Sequence, residues 1–366
     1  MMSSVLLLAA TVAGFPEPVN LFARDAQRSF TAVQQPTDFV LTEKDGKTVL
    51  GYEVDTVDLQ FLRDHAYAAM ADYDIISDGV AVHGDDAMMA KLAKIADEEG
   101  FGPDHHDNWL RIQGRNDTGT TNLDYPVLVE PRLLMVCALI CDFCETVPVI
   151  HAFRLRDRNG LDRDRAGFNF LIGVGASKRG IPTVLKIHNR LLENDDYCSA
   201  FADLVNEACV RTNGEFTASA INRRIDRRIA ELRKVAGDKV DVTKEVAEFE
   251  ALRARMLARL GKYISTFDLA DLLATAAPLA VNEKGEALPA YGRYRGKIEL
   301  QHGATKGKIY YSDIGCDPRD DDGEVSPMVN EYTGPFDVQG RCQLRARVRT
   351  EDGKWSPLEM VNLNLE

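Results

Sequence analysis

The stretch from Gly167 to Gly180 (GFNFLIGVGASKRG) joins an apolar run to a glycine-bracketed loop, the pattern of a buried strand that empties into a turn. Strand ends of this kind often present groups to phosphates or metals, because glycines let backbone N–H groups come close to an anion. The phosphate templates fail here. Gly173-Val-Gly175 lacks the third glycine of the dinucleotide spacing, and Ile181-Pro182 stand where a P-loop needs Lys and Ser/Thr. The segment Gly173 to Gly180 also holds no Asp, Glu or His, so a plain turn is expected. His105-His106-Asp107 carries ligand-type side chains, but in a polar loop they are expected to be exposed. Asp317 to Glu324 packs five carboxylates around Gly323, yet counting back from that glycine puts Pro318 where a calcium loop needs its first oxygen ligand. A solvated acidic turn is expected, with weak calcium binding as the alternative.

Elements must position these groups. The hairpin signal Lys44-Asp-Gly-Lys47 closes short extended pieces between Phe30 and Val54. Asp58 opens a helix, Asp72 to Gly79 reads as a strand running into a turn, and Asp85 caps a helix with Met88, Met89, Leu92 and Ile95 on its apolar face. The polar stretch from Gly100 to Pro126 is too long for a plain connection. Leu133 to Phe143 predicts a buried helix, and the charged run Arg154 to Arg165 a hairpin tip. Helices are then predicted over 194–208, from the Thr217 cap onward, over 246–260 and over 268–276. Arg223, Arg224, Arg227 and Arg228 are expected on a solvated helix face. Near the C-terminus, Cys342 to Arg349 alternates apolar and polar residues for eight positions, the mark of a strand with one wet face, and the short strands around it predict a small sandwich.

The chain has 366 residues, enough for about two domains. Its formal charge of −13 argues against a nucleic-acid partner, since binding phosphate backbones relies on clustered Lys and Arg. No apolar run approaches the roughly 18 residues of a membrane-spanning helix. Val5 to Phe15 suits either a secretory leader or a buried first element; no Lys or Arg precedes it. The seven cysteines form no dense disulfide framework, and whether Cys316 and Cys342 pair is left open.

Two resemblances sharpen this reading. Cys137-Ala-Leu-Ile-Cys141-Asp-Phe-Cys144 resembles the iron–sulfur motif of the radical SAM enzymes. Its cysteines fall at i, i+4 and i+7 of an apolar helix, however, where cysteine behaves as a small hydrophobe. More extensively, Ile309-Tyr-Tyr-Ser-Asp-Ile-Gly-Cys-Asp-Pro-Arg319 with Tyr332-Thr-Gly-Pro-Phe336 resembles the chitobiase/hexosaminidase C-terminal β-sandwich module. That module commonly follows a CotH-type (spore-coat H) kinase domain. The segments Asp72 to Gly79, Gln113-Gly-Arg-Asn116 with Gly119, Asn122-Leu-Asp-Tyr-Pro126 and Leu191-Leu-Glu-Asn194 are similar to signatures of that domain. The match runs from about Val49 to Glu366.

The resemblance implies an α+β protein: a kinase-like CotH-type domain with a helical half, followed by a small antiparallel β-sandwich. The divisions are 1–30, a leader or fragment of the first lobe; 31–278, the CotH-like domain; 279–296, a linker; and 297–366, the sandwich. Active members of that family transfer the γ-phosphoryl of ATP to protein Ser, with a carboxylate on the bridging metal. In the family the strand matching Phe168 to Ile172 leads into Asp-Ala-Glu, where this chain reads Val174-Gly175-Ala176. The family's Asn-Trp-Tyr reads His151-Ala152-Phe153, ahead of Arg156-Asp157-Arg158. A pseudokinase that binds a protein or cell-envelope component, outside the cell or in its envelope, is therefore expected. The alternative is a residual kinase using ATP and Mg, with His151 and Asp157, or the Asp162/Asp164 pair, as its catalytic groups. An iron–sulfur enzyme is the outside alternative.

Overall fold

A computed structural model describes residues 18–27, 30, 37–44, 46–54, 57–65, 72–116, 120–122, 124–157, 166–211, 214–266, 275–302, 307–320, 322–338 and 340–364. The fold is mixed α+β, with helices and largely antiparallel sheets in separate regions. The chain divides into two compact units. One comprises residues 1–194 and 212–261, the other residues 195–211 and 262–366.

In the first unit, helix α1 (Pro18–Gln27) is followed by the hairpin β1 (Thr37–Lys44) and β2 (Lys47–Val54), whose two-residue turn has Gly46 at φ 71°. The expected hairpin is present. Helix α2 (Leu59–His65) begins where Asp58 Oδ1 accepts the Phe61 N–H. Strands β3 (Asp72–Ser77), β4 (Val80–His83), β5 (Pro148–Asp157) and β6 (Asn169–Ala176) form an antiparallel sheet in the order β4-β3-β5-β6. Phe61 and Leu62 of α2 join Tyr73, Ile75, Phe153 and Leu171 in an apolar cluster on one face. Helix α3 (Ala87–Lys94) continues into a π-turn ending at Glu99; α4 (Asn108–Arg111) and the buried α5 (Pro131–Phe143) follow. Helix α6 (Thr183–Leu191) comes after the β6 loop. The tip between β5 and β6, with Asp162 and Asp164, and residues 268–274 of the expected last helix lie outside the described residues.

As the edge strand, β6 would leave backbone groups open. Gln27 of α1 pairs two of them: its Nε2 donates to Phe170 O at 2.8 Å and its Oε1 accepts the Ile172 N–H at 2.6 Å. Every residue of α1 from Val19 to Gln27 is buried. Gly167 is required where β6 begins, because the chain crosses Val129 so closely that a Cβ would lie 2.5 Å from the Val129 carbonyl carbon.

Helix α8 (Ala218–Ala236) starts at Thr217, whose hydroxyl accepts the Ala220 N–H as expected. Of its four arginines in the 223–228 run, Arg223 and Arg227 are exposed as the solvated-face reading expects, but the other two correct it. Arg224 and Arg228 are buried, the first paired with Glu215, the second held by Asp25 of α1 through two bonds of 2.7 Å. Their guanidinium groups also lie over the rings of Phe22 and Phe39. Burial of a charge this complete is tolerated because each is paired and hydrogen-bonded. Helix α9 (Thr243–Thr266) buries Phe249, Leu252 and Met256 on one stripe.

The second unit begins with helix α7 (Asp195–Val205) and a π-turn to Val210, then adds eight strands among the described residues. These are β7 (Leu279–Val281), β8 (Tyr291–Arg293), β9 (Lys297–Gln301), β10 (Lys308–Ser312), β11 (Asn330–Glu331), β12 (Phe336–Asp337), β13 (Cys342–Arg349) and β14 (Glu359–Asn364). One sheet runs β11-β10-β13-β14-β8 and the other β12-β9-β7; all pairings are antiparallel except β14 with β8. Ala280, Ile298 and Leu300 from one sheet and Leu344, Ala346, Val361 and Leu363 from the other share a single core. Two expectations change. Residues 279–296, read as a linker, supply strands β7 and β8, because Ala280 and Leu288 have core partners that a solvated linker would lack. Residues 195–211, read as part of the first domain, belong to this unit.

Candidate functional site

The candidate site lies at the end of the first unit's sheet where β5 begins and β6 ends. On β5, His151 stands opposite Ser77 of β3 and Leu171 of β6. Its Nε2 packs against Gly173, where a Cβ would come within 2.7 Å, so glycine is the residue that leaves room for the imidazole. Its Nδ1 is buried and, among the described residues, has no hydrogen-bond partner. Burial pushes the imidazole pKa down to about 4; the Arg24 guanidinium adds to the fall and the Asp78 carboxylate opposes it. At neutral pH His151 is therefore an uncharged ring with one ring nitrogen to spare.

Asp78, which sequence reasoning did not nominate, faces the same strand end. Asp78 and Gly79 both have positive φ, 49° and 78°, and make the two-residue turn between β3 and β4. Asp78 Oδ1 accepts the Ser177 hydroxyl at 2.6 Å and Oδ2 the Lys178 N–H at 3.3 Å, so this carboxylate ties down the loop after β6. The Asp-Gly pair bounded by apolar strands is the signal that would have placed it.

Asp157 falls elsewhere. It ends β5 opposite Asp72, six residues beyond His151, which at strand rise is about 20 Å away. The two residues nominated by the resemblance therefore cannot act on one reacting atom.

The remaining carboxylates of the β3 segment are occupied. Asp74 is buried, accepts the Asp85 N–H at 3.0 Å and lies 3.6 Å from the Arg154 guanidinium. Gly84 at φ 68° sits against it, and a Cβ there would meet Asp74 Oδ1 at 2.1 Å. Asp72 is 2.8 Å from His83 Nε2. Burial works to raise its pKa, but His83, the Tyr73 N–H and Arg156 together hold the carboxyl below its usual value.

The other nominated stretches are also accounted for. His106 is half-buried, with its carbonyl and Nδ1 each 3.2 Å from the Asn194 amide nitrogen, while His105 and Asp107 are exposed. Cys137, Cys141 and Cys144 are free and buried on α5 or at its end. A hydrogen bond with Cys137, followed by burial, raises the Cys141 thiol pKa, and burial pushes Cys144 up to about 12. In the acidic turn Asp317 pairs with Arg347, Glu324 with Arg349, and Asp320 Oδ1 accepts the N–H groups of Asp322 and Glu324. Cys316 and Cys342 are free thiols. Among the described residues no group of three or more His, Cys, Asp or Glu side chains is placed to hold a metal ion, and no helix is long and apolar enough to cross a membrane.

Compared with protein-family models, curated proteins and solved structures, the chain matches none.

Proposed function

We propose that the chain is a divergent relative of the CotH-type kinases carrying a chitobiase/hexosaminidase-type β-sandwich. In this reading it acts as a pseudokinase that binds a protein or envelope component, in the cell envelope or outside the cell. The observation that carries the reading is the end of β6. Phosphoryl transfer depends on charge neutralisation by a metal held on a carboxylate, and the four residues that close this strand, Gly173, Val174, Gly175 and Ala176, offer none. Asp78, the carboxylate at the same end, is hydrogen-bonded to the Ser177 hydroxyl and the Lys178 N–H. The donor set at this strand end does not fit a magnesium–nucleotide complex.

Calorimetry with Mg-ATP tests this. The wild-type chain is expected not to bind, and the Val174→Asp/Ala176→Glu variant to gain metal-dependent binding if the surrounding pocket survives. Micromolar, metal-dependent affinity in the wild type, lost on Asp78→Ala, would overturn the reading in favour of a residual kinase. Asp157 lies too far from His151 to serve such a site. The iron–sulfur alternative requires thiolates, which their surroundings disfavour at Cys141 and Cys144; a colourless anaerobic preparation is expected.

A further inference from the structure

We propose that a cavity of about 190 Å³ on the opposite face of the first unit's sheet binds a small organic ammonium ion carrying a single six-membered ring. Ile150 and Ala152 line this cavity. They flank His151 on β5, and strand alternation directs His151 to the other face, so the cavity is separate from the site described above. The inference accordingly does not rest on the proposed pseudokinase reading.

Three observations define the ligand class. Four small residues are in its lining: Gly79 of the β3–β4 turn, Ala90 and Ala93 of α3, and Ala152 of β5. Phe170 of β6 supplies an aromatic wall. A dry apolar cavity of about 150 Å³ is large enough for benzene, so this one accommodates one ring and a short tail. Among the lining residues Asp86 alone carries a charge. Its side chain is exposed and, among the described residues, makes no hydrogen bond or ion pair. A ligand whose ring fills the apolar part and whose cationic tail reaches Asp86 satisfies both halves of the lining. An anion of the same shape is repelled, and a neutral one forgoes the ion pair. The chain's formal charge of −13 also favours approach of a cation.

The test uses the full chain and three matched probes, phenethylammonium, n-propylbenzene and 3-phenylpropionate, with binding followed by calorimetry. Phenethylammonium is expected to bind saturably and most tightly. Asp86→Asn should weaken it about fivefold, the scale of one exposed ion pair, and leave n-propylbenzene unchanged. Ala93→Leu should abolish binding by filling the cavity. Ala90→Leu provides a second filling variant, because Ala90 is solvent-exposed and leucine is a good helix former, so the fold is retained. Circular dichroism checks both variants. The proposal is overturned if phenethylammonium shows no saturable binding at millimolar concentration, if 3-phenylpropionate binds as well, or if Asp86→Asn has no effect.

Discussion

Arg347 and Asp203, 144 residues apart, form a bidentate ion pair, with Nη1 to Oδ1 at 2.8 Å and Nη2 to Oδ2 at 2.7 Å. The same guanidinium binds both oxygens of Asp317 and the Ser356 carbonyl, so all five of its N–H groups are used while the side chain is 3% exposed. Asp203 also accepts the Leu358 N–H at 2.8 Å. Through these bonds a helix far upstream in the sequence becomes part of the C-terminal β unit. Arg319 with Asp196 and Arg211 with Glu359 add to the attachment.

Removing one partner of a buried, hydrogen-bonded charge costs more than replacing both. Asp203→Ala is expected to destabilise the second unit by about 3 kcal/mol, since it leaves Arg347 underpaired and the Leu358 N–H without its acceptor. The double variant Asp203→Ala/Arg347→Met should be less destabilised than the sum of the two single changes. Urea unfolding followed by Trp355 fluorescence, in a Trp109→Phe background, measures this within the unit that carries Trp355. Strict additivity would refute the coupling.

The two units should respond to pH with opposite signs. In the first, burial lowers His151 and His188 from 6.5 to about 4, so on acidification the unfolded chain takes up protons before the folded one. Stability there is complete above about pH 6.5 and declines toward pH 4, by on the order of 3 kcal/mol per histidine. In the second, burial raises Glu359 from 4.5 to about 7 against the pull of Arg211. Its contribution is complete below about pH 4.5 and disappears as pH climbs through 7. Between pH 7 and 4.5, the urea midpoint reported by Trp109 should fall while that reported by Trp355 rises. Movement of both midpoints in one direction would contradict these assignments.

None of the seven cysteines forms a disulfide, and Cys198 and Cys316 alone are partly exposed. Burial pushes Cys144 and Cys209 up to about 12 and Cys342 to about 11, so their reactive thiolate forms are scarce as well as inaccessible. Titration with Ellman's reagent is expected to find two fast thiols in the native protein and seven after denaturation. Five after denaturation would reveal a disulfide that the structure does not contain.

Local patterns were the legible part of this protein. The Lys44 to Lys47 turn, the Thr217 cap, the buried α5 and the two-residue period of β13 each follow from neighbours a few positions apart, and each is present. The part of the site that could be read was likewise local: an apolar strand ending without a carboxylate. Asp78 was missed because its role is to hold Ser177, 99 residues away. His151 and Asp157 came from the family resemblance, which does not show that an extended strand holds them about 20 Å apart.

The arginines show most plainly where sequence reasoning stops. Arg347 falls on the polar phase of β13, and Arg224 and Arg228 fall among charged residues of α8; by pattern all three belong in water. By itself the sequence determined which elements form, because hydrophobic period, caps and turns act over a few residues. Only the tertiary structure decided that Asp203, Glu215 and Asp25 would meet those arginines and allow their burial. A charge can leave water once its hydrogen-bond partners are in place, and partners brought from distant segments leave no local mark on the sequence.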